Sequence, residues 1–252
     1  EFFEDFVEPK LKAQMREHQI EAAQFLWNRL HPKTVSKREE DRQGGAILAD
    51  DMGLGKTLTS IALVHTTMLR QKHLSEARCA DQVAPSIDSS TEQSDRVERR
   101  AVPPRAVIVA PTSLVTNWRR EFRKWESLSG AASLPTIALE GKEKDAASKV
   151  HGGSLSTTGG VLILSYEAFV KHRAAVCGAR GLCILVCDEA HRLKNVAGTN
   201  ASAAAESFPC GRRHAVTGTP VQNTLMEQFA LLPHVATNAA NAQAIGRRVS
   251  GN

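Results

Sequence analysis

Apolar and polar positions along the chain switch repeatedly between a helical period and short uninterrupted runs. Over residues 15–30, Met15, Ile20, Ala23, Phe25, Leu26 and Leu30 recur at near-helical intervals and predict an amphipathic helix. A charged connector follows over 31–43. Residues 45–49 are a short apolar run leading into a glycine-rich loop, which predicts a buried parallel strand feeding a loop and a helix. That helix is expected over 56–71, with Leu58, Ile61, Ala62, Met68 and Leu69 on one face. The periodicity then stops, and 76–105 reads as a disordered polar insert. Residues 106–110 resume the strand pattern, and Leu114, Val115, Trp118, Phe122 and Trp125 form the apolar stripe of the next helix. Further strands are expected at 161–164, 182–187 and 214–217, and another at 135–139. Strand and helix alternate. The prediction is an α/β fold with a mostly parallel sheet flanked by helices, whose ligands sit beyond the carboxyl ends of the strands. Residues 1–232 are expected to form one domain, and the Ala/Asn-rich stretch 233–252 a loose tail.

Composition narrows the class without naming a partner. With 252 residues, 42% hydrophobic and 23% charged, the chain can bury one sizeable core. The formal net charge of +5 mildly favours a polyanionic partner. No apolar run approaches the roughly 20 residues that a membrane-crossing helix needs, so a membrane partner is not expected. The five cysteines, Cys79, Cys177, Cys183, Cys187 and Cys210, show no CxxC pairing and predict reduced thiols. The chain opens on Glu1 and not on a methionine, so a piece of a longer protein is expected.

The chemistry concentrates after the first and fifth strands. Asp50-Asp51-Met52-Gly53-Leu54-Gly55-Lys56-Thr57 follows the logic of a phosphate-binding P-loop, with Asp50 where the general signature has its first glycine. Gly53 and Gly55 allow a tight turn that aims main-chain N–H groups at phosphates. Lys56 brings a point charge, and Thr57 a hydroxyl for Mg²⁺. At the end of the run 184–187, Asp188 and Glu189 follow one another directly. Asp188 is the expected magnesium carboxylate, and Glu189 the group that orients and deprotonates the attacking water. An isolated acidic pair after a core strand is often only solvated; the P-loop upstream favours the catalytic reading.

With Asp188-Glu189-Ala190-His191, the P-loop and the segment Thr217-Gly218-Thr219-Pro220-Val221-Gln222-Asn223, the chain resembles the Swi/Snf-type helicase-like ATPases of superfamily two. Arg16-Glu17-His18-Gln19 is similar to that family's adenine-reading motif, with Gln19 the implied reader and Arg16 and Leu58 included among the nucleotide-binding positions. Pro111-Thr112-Ser113, with Asn117-Trp118, resembles its motif Ia, and Ser165-Tyr166 its motif Ib. Leu26-Trp27, Thr57-Leu58, Leu69-Arg70-Gln71 and Cys187-Asp188-Glu189 look most like the Rad-type recombinational repair translocase branch. The resemblance spans about residues 11–232. It implies a RecA-like lobe that uses ATP and Mg²⁺, contacts double-stranded DNA and resides in the nucleus. A RecA-like recombinase or chromatin would be further partners. It also implies a second RecA-like lobe, which has no counterpart after Leu232, so the chain alone should hydrolyse ATP very poorly.

The resemblance assigns contact with DNA, or its coupling to ATP, to Pro111, Thr112, Ser113, Asn117, Ser165, Tyr166, His191, Thr217, Gly218, Thr219 and Gln222. Thr112 and Ser113 are expected to cap the helix that follows, whose free N–H groups could meet a phosphate. Arg119, Arg120 and Arg123 add charge nearby, although for each of them the solvated face of an amphipathic helix is the better explanation. Two other functions fit parts of this pattern. A DEAH-type RNA helicase would carry Ser-Ala-Thr where Gly218-Thr219-Pro220 stands, and a truncated ATP-binding or interaction module would keep the motifs without the motor.

Overall fold

A computed structural model describes residues 3–5, 7–31, 44–51, 53–81, 101–129, 134–139, 146–151, 153–195 and 200–218. Met52, Thr219, Gln222, most of the expected insert and the whole expected tail lie outside these residues. Two helices, α1 (Pro9–Lys12) and α2 (Glu17–Leu30), precede β1 (Ala46–Ala49). Then α3 (Lys56–Asp81) leads to β2 (Arg105–Ala110), and α4 (Thr112–Ser129) to β3 (Thr136–Leu139). Two short helices, α5 (Ala146–His151) and α6 (Gly153–Thr158), come before β4 (Gly160–Ser165). After α7 (Tyr166–Lys171) and α8 (Arg173–Cys177) the chain enters β5 (Leu182–Asp188). Finally α9 (Arg192–Asn195) and α10 (Asn200–Glu206) lead to β6 (Arg213–Thr217).

All six strands pair in parallel, in the order β1-β6-β5-β2-β4-β3. The expected α/β fold is the one observed. Every residue of β2 and β4 is buried, as befits central strands covered by helices on both faces. Period-two alternation divides the core. Ala106, Ile108 and Ala110 join the side filled by Leu26, Trp27, Ile61, Trp118 and Phe122, whereas Val107 and Val109 join Tyr166, Phe169, Leu185 and Phe208 on the other.

Two helices depart from expectation. On α2 the buried stripe is Ala23, Leu26, Trp27 and Leu30, and Phe25 is 54% exposed with the Arg29 guanidinium 5.5 Å from its ring centre. The spacing i, i+3, i+4, i+7 starts from Ala23 and leaves position 25 off the stripe. Helix α3 runs to Asp81, well past the expected end at Gln71, so its last residues enter the stretch read as a disordered insert. Apolar periodicity ends there because the helix emerges toward solvent, while Lys72, Leu74, Glu76, Ala77 and Ala80 still favour helix and no glycine or proline stops it.

Register sets up the site. Ala49 of β1 lies beside Thr217 of β6, and Val216 lies beside Asp188 of β5. The loop after β1 and the turn after β5 therefore emerge at the same sheet edge, on either side of the β6 tip.

Candidate functional site

The loop between β1 and α3 turns through two left-handed glycines, Gly53 at φ 86° and Gly55 at φ 82°. Such values are open to glycine at no steric cost. Helix α3 begins at Lys56, whose Nζ donates to the carbonyls of Asp50 and Asp51 at 2.8 and 2.7 Å. The ammonium thus folds over its own loop. A phosphate oxygen is a stronger, charge-assisted acceptor that would compete for it. Leu58, the third residue of the helix, turns its side chain into the core at 9% exposure, so only its main chain faces the loop side. Leu54 is exposed at the loop's tip. Farther along the helix, the Ser60 hydroxyl meets Nε2 of buried His214 at 3.0 Å and ties α3 to β6.

Gln19 braces this loop from α2. Its Nε2 donates to the carbonyls of Leu54 and Gly55 at 3.1 and 3.4 Å, while Oε1 accepts the main-chain N–H of Arg16 at 2.9 Å. Both ends of the amide are engaged with main chain, and the residue is 5% exposed. To read a base, Gln19 must first release these bonds. Arg16 itself is exposed at the start of α2, and His18 Nε2 lies 3.2 Å from the Leu54 carbonyl.

Across the β6 tip, β5 delivers Asp188 and Glu189. Asp188 is 9% exposed: Oδ2 accepts the Trp118 indole N–H at 2.7 Å, and Oδ1 accepts the Glu189 main-chain N–H at 2.9 Å. Burial raises its pKa above the ordinary carboxylate value, opposed by the Trp118 hydrogen bond and the Lys56 charge. Glu189 stands at φ 48°, the one non-glycine in the left-handed region among the described residues. Such a backbone costs of order 1 kcal/mol and persists where surrounding bonds over-determine it. Here Ala190 N–H donates to the Val216 carbonyl at 3.0 Å, and Arg192 N–H to that of Glu189 at 2.9 Å. Glu189 Oε2 also lies 3.3 Å from His191 Nδ1.

The two motifs meet in one cleft of about 360 Å³, lined by Gly53, Gly55, Lys56 and Thr57 on one side and Asp188 and Glu189 on the other. Leu114, Asn117 and Trp118 of α4, with Val216 and Gly218, complete its wall. The set contains a cation, two carboxylates, a hydroxyl and a helix N-terminus, which fits a triphosphate with a divalent ion.

The positions expected at nucleic acid divide. Thr112 and Ser113 are exposed at the start of α4, but Thr112 is already helical and its hydroxyl donates to Glu167 Oε2 at 3.1 Å, so it does not cap as expected. Asn117 faces the cleft, its Oδ1 accepting from Arg120 Nη2 at 2.7 Å. Pro111 and Thr217 are buried, and His191 and Gly218 are half-buried. Ser165 and Tyr166, at 0% and 1% exposure, offer no side-chain surface for direct contact. Ser165 caps α7 by accepting Ala168 N–H at 3.0 Å, and Tyr166 Oη donates to the Asp188 carbonyl at 2.7 Å. Sequence reading placed Trp118 in the core and missed its bond to Asp188. The available signal was chemical: a buried indole N–H needs an acceptor.

Comparison with known proteins shows the family and the fold. The SNF2-related domain family model matches residues 18–245. The chain is 35% identical over 234 residues to the DNA repair and recombination protein RAD54-like of Mus musculus, and equally to that of Homo sapiens, covering 91% of this chain and 26% of each relative. It is 36% identical over 220 residues to Protein CHROMATIN REMODELING 25 of Arabidopsis thaliana, covering 86% of this chain and 20% of that protein. The chain thus spans about a quarter of the length of these relatives. Among solved structures, the Sulfolobus solfataricus SWI2/SNF2 ATPase core in complex with dsDNA shares the fold at a TM-score of 0.57 and 20% identity, covering 92% of this chain and 38% of that one. On the family match and the identity to these relatives, this chain belongs to the SNF2-related domain family.

Proposed function

We propose that residues 1–232 form the ATP-binding lobe of a DNA-dependent ATPase that moves along double-stranded DNA in repair, recombination or chromatin remodelling. The observation that carries this reading is the single cleft shared by Lys56, Thr57, Asp188 and Glu189. Main-chain N–H groups of the loop and the start of α3 bind the phosphates, and Lys56 leaves its loop carbonyls to meet them. Thr57 and Asp188 would hold magnesium. When bound, magnesium neutralises charge on the phosphate oxygens. Glu189 orients a water at the terminal phosphate and takes its proton, with His191 close enough to steady the carboxylate. Gln19 releases the loop carbonyls if it is to read adenine.

On the nucleic-acid side, the exposed Thr112 and Ser113 support phosphate contact at the start of α4, and the solved relative from Sulfolobus solfataricus is in complex with double-stranded DNA. Such contacts are independent of sequence and weaken with salt. The lobe works against a second RecA-like lobe that supplies an arginine to the transition state, worth about three to five orders of magnitude in rate. Nuclear residence and a recombinase or chromatin partner follow from the same reading. The test is the ATPase rate of a protein containing both lobes, with and without duplex DNA. Strong stimulation by DNA is expected, and an unchanged rate would refute the motor assignment.

A further inference from the structure

The Asp188 carboxylate is gripped from two directions, by Trp118 on Oδ2 and by the Glu189 amide on Oδ1. Each carboxylate oxygen has about two acceptor directions, so this grip leaves capacity toward the cleft that Asp188 lines. Tyr166 holds the carbonyl of the same residue, which fixes the main chain beneath the carboxylate.

The two tryptophans of α4 use their indole N–H groups differently. Trp125 donates to Glu121 on its own helix, four positions away, at 3.0 Å. Trp118 is 1% exposed and packs beside Phe122, and it donates to a carboxylate 70 positions away in the chain. Packing alone would be served by any large apolar ring. The N–H is the part of this side chain that a phenylalanine could not supply.

We propose that Trp118 is a positioning residue for Asp188: its indole N–H fixes the carboxylate so that the remaining acceptor directions face a divalent cation, and so sets the magnesium affinity of the nucleotide-bound cleft. This rests on the reading of Asp188 as the magnesium carboxylate. The same bond ties that carboxylate to α4, the helix whose first turn carries Thr112 and Ser113.

The full chain, bound to N-methylanthraniloyl-ADP, is titrated with magnesium chloride and the analogue's fluorescence is followed. Trp118→Phe should bind the magnesium-free analogue as the wild type does and need about tenfold more magnesium for half-saturation, as expected when a group that orients a metal ligand is removed. Phe122→Leu, which loosens the same stripe without touching the carboxylate, should leave that midpoint unchanged. Asp188→Ala should remove the magnesium dependence. A shifted Asp188→Ala with an unshifted Trp118→Phe overturns the role of Trp118 and spares the reading of Asp188. If neither shifts, that reading fails and the proposal falls with it. Should Trp118→Phe not fold, the wild type decides: its indole N–H resonance, assigned by its displacement in Asp188→Asn, should move when magnesium is added to the nucleotide-bound protein. A stationary resonance overturns the proposal.

Discussion

The two edges of the sheet use the same residue types to opposite ends. At the carboxyl edge, Gly53 turns left-handed at φ 86°, and a Cβ there would meet nothing within 4 Å. At the amino edge, Gly181 turns left-handed at φ 78°, but a Cβ there would overlap the Pro103 carbonyl. One glycine leaves space beside a cleft; the other lets two main-chain segments close on each other. Cations follow the same division. Lys56 rests on carbonyls of its own loop beside the cleft, whereas Arg105, Arg212 and Arg213 at the amino edge donate to the carbonyls of Val150, Cys183, Glu206 and Phe208 in a packed interior. A positive-φ glycine or a cation is thus not a functional signal by itself. What it faces decides.

Acidification should break this contrast most strongly, because the buried histidines belong to the packed side. Burial, reinforced by the charges of Arg212 and Arg70, lowers His31 to about 2, and burial lowers His214 to about 4. Unfolded, both titrate near 6.5, so between those values the unfolded chain binds more protons. Stability from this source is complete above pH 6.5 and falls as the pH drops. At about 1.4 kcal/mol per pH unit for each histidine, denaturant melts at pH 7 and pH 4.5 should differ by about 5 kcal/mol. A flat profile across that window would mean that the two rings are not buried as neutral species.

Next in size is a crossed pair of substitutions. Lys56→Ala should weaken Mg-ATP affinity about a hundredfold, the value of charge-assisted bonds worth about 3 kcal/mol, and leave the melting temperature near that of the wild type. Gly181→Ala should do the reverse, costing at least about 1 to 3 kcal/mol of stability through backbone strain and the overlap with the Pro103 carbonyl, while nucleotide affinity stays unchanged. Equilibrium binding and thermal melts on both variants check the pair. If each variant moved both quantities, the edges would not be separable.

The smallest expected effect sharpens the comparison from the other side. Burial raises the pKa of Asp188, so the folded chain keeps its proton at pH values where the unfolded chain has lost it, and stability from this group falls as pH rises through the folded pKa. Asp188→Asn, whose amide oxygen accepts from Trp118 while its NH2 turns toward the Glu189 N–H, should therefore show a small gain in melting temperature at pH 7 relative to its effect at low pH. The gain should vanish below the unfolded value of 3.8. A loss of melting temperature that is larger at pH 7 than below 3.8 would show that the ionised carboxylate stabilises the fold.

Strands were legible in the sequence because a central parallel strand is a plain apolar run: 106–110 and 161–164 each fall within an observed strand that is one or two residues longer. Helix ends were less so. Apolar spacing reports burial, and α3 continues after its burial ends. The cleft's two motifs were readable because each is local, a loop before a helix and a strand tip. What tertiary contact alone creates was not: Trp118 reaching Asp188, Tyr166 turning inward to the Asp188 carbonyl, and Gln19 bracing the glycine loop all join residues distant in the chain.

The bond from the Ala190 amide to the Val216 carbonyl carries a consequence for variation in this family of sequences. Every amino acid brings a carbonyl and all but one bring an amide hydrogen. The posture of Glu189 is therefore inscribed in main-chain atoms: the side chains of Ala190 and Val216 are held by the core, but the bond itself depends on neither, and proline at 190 alone would erase it.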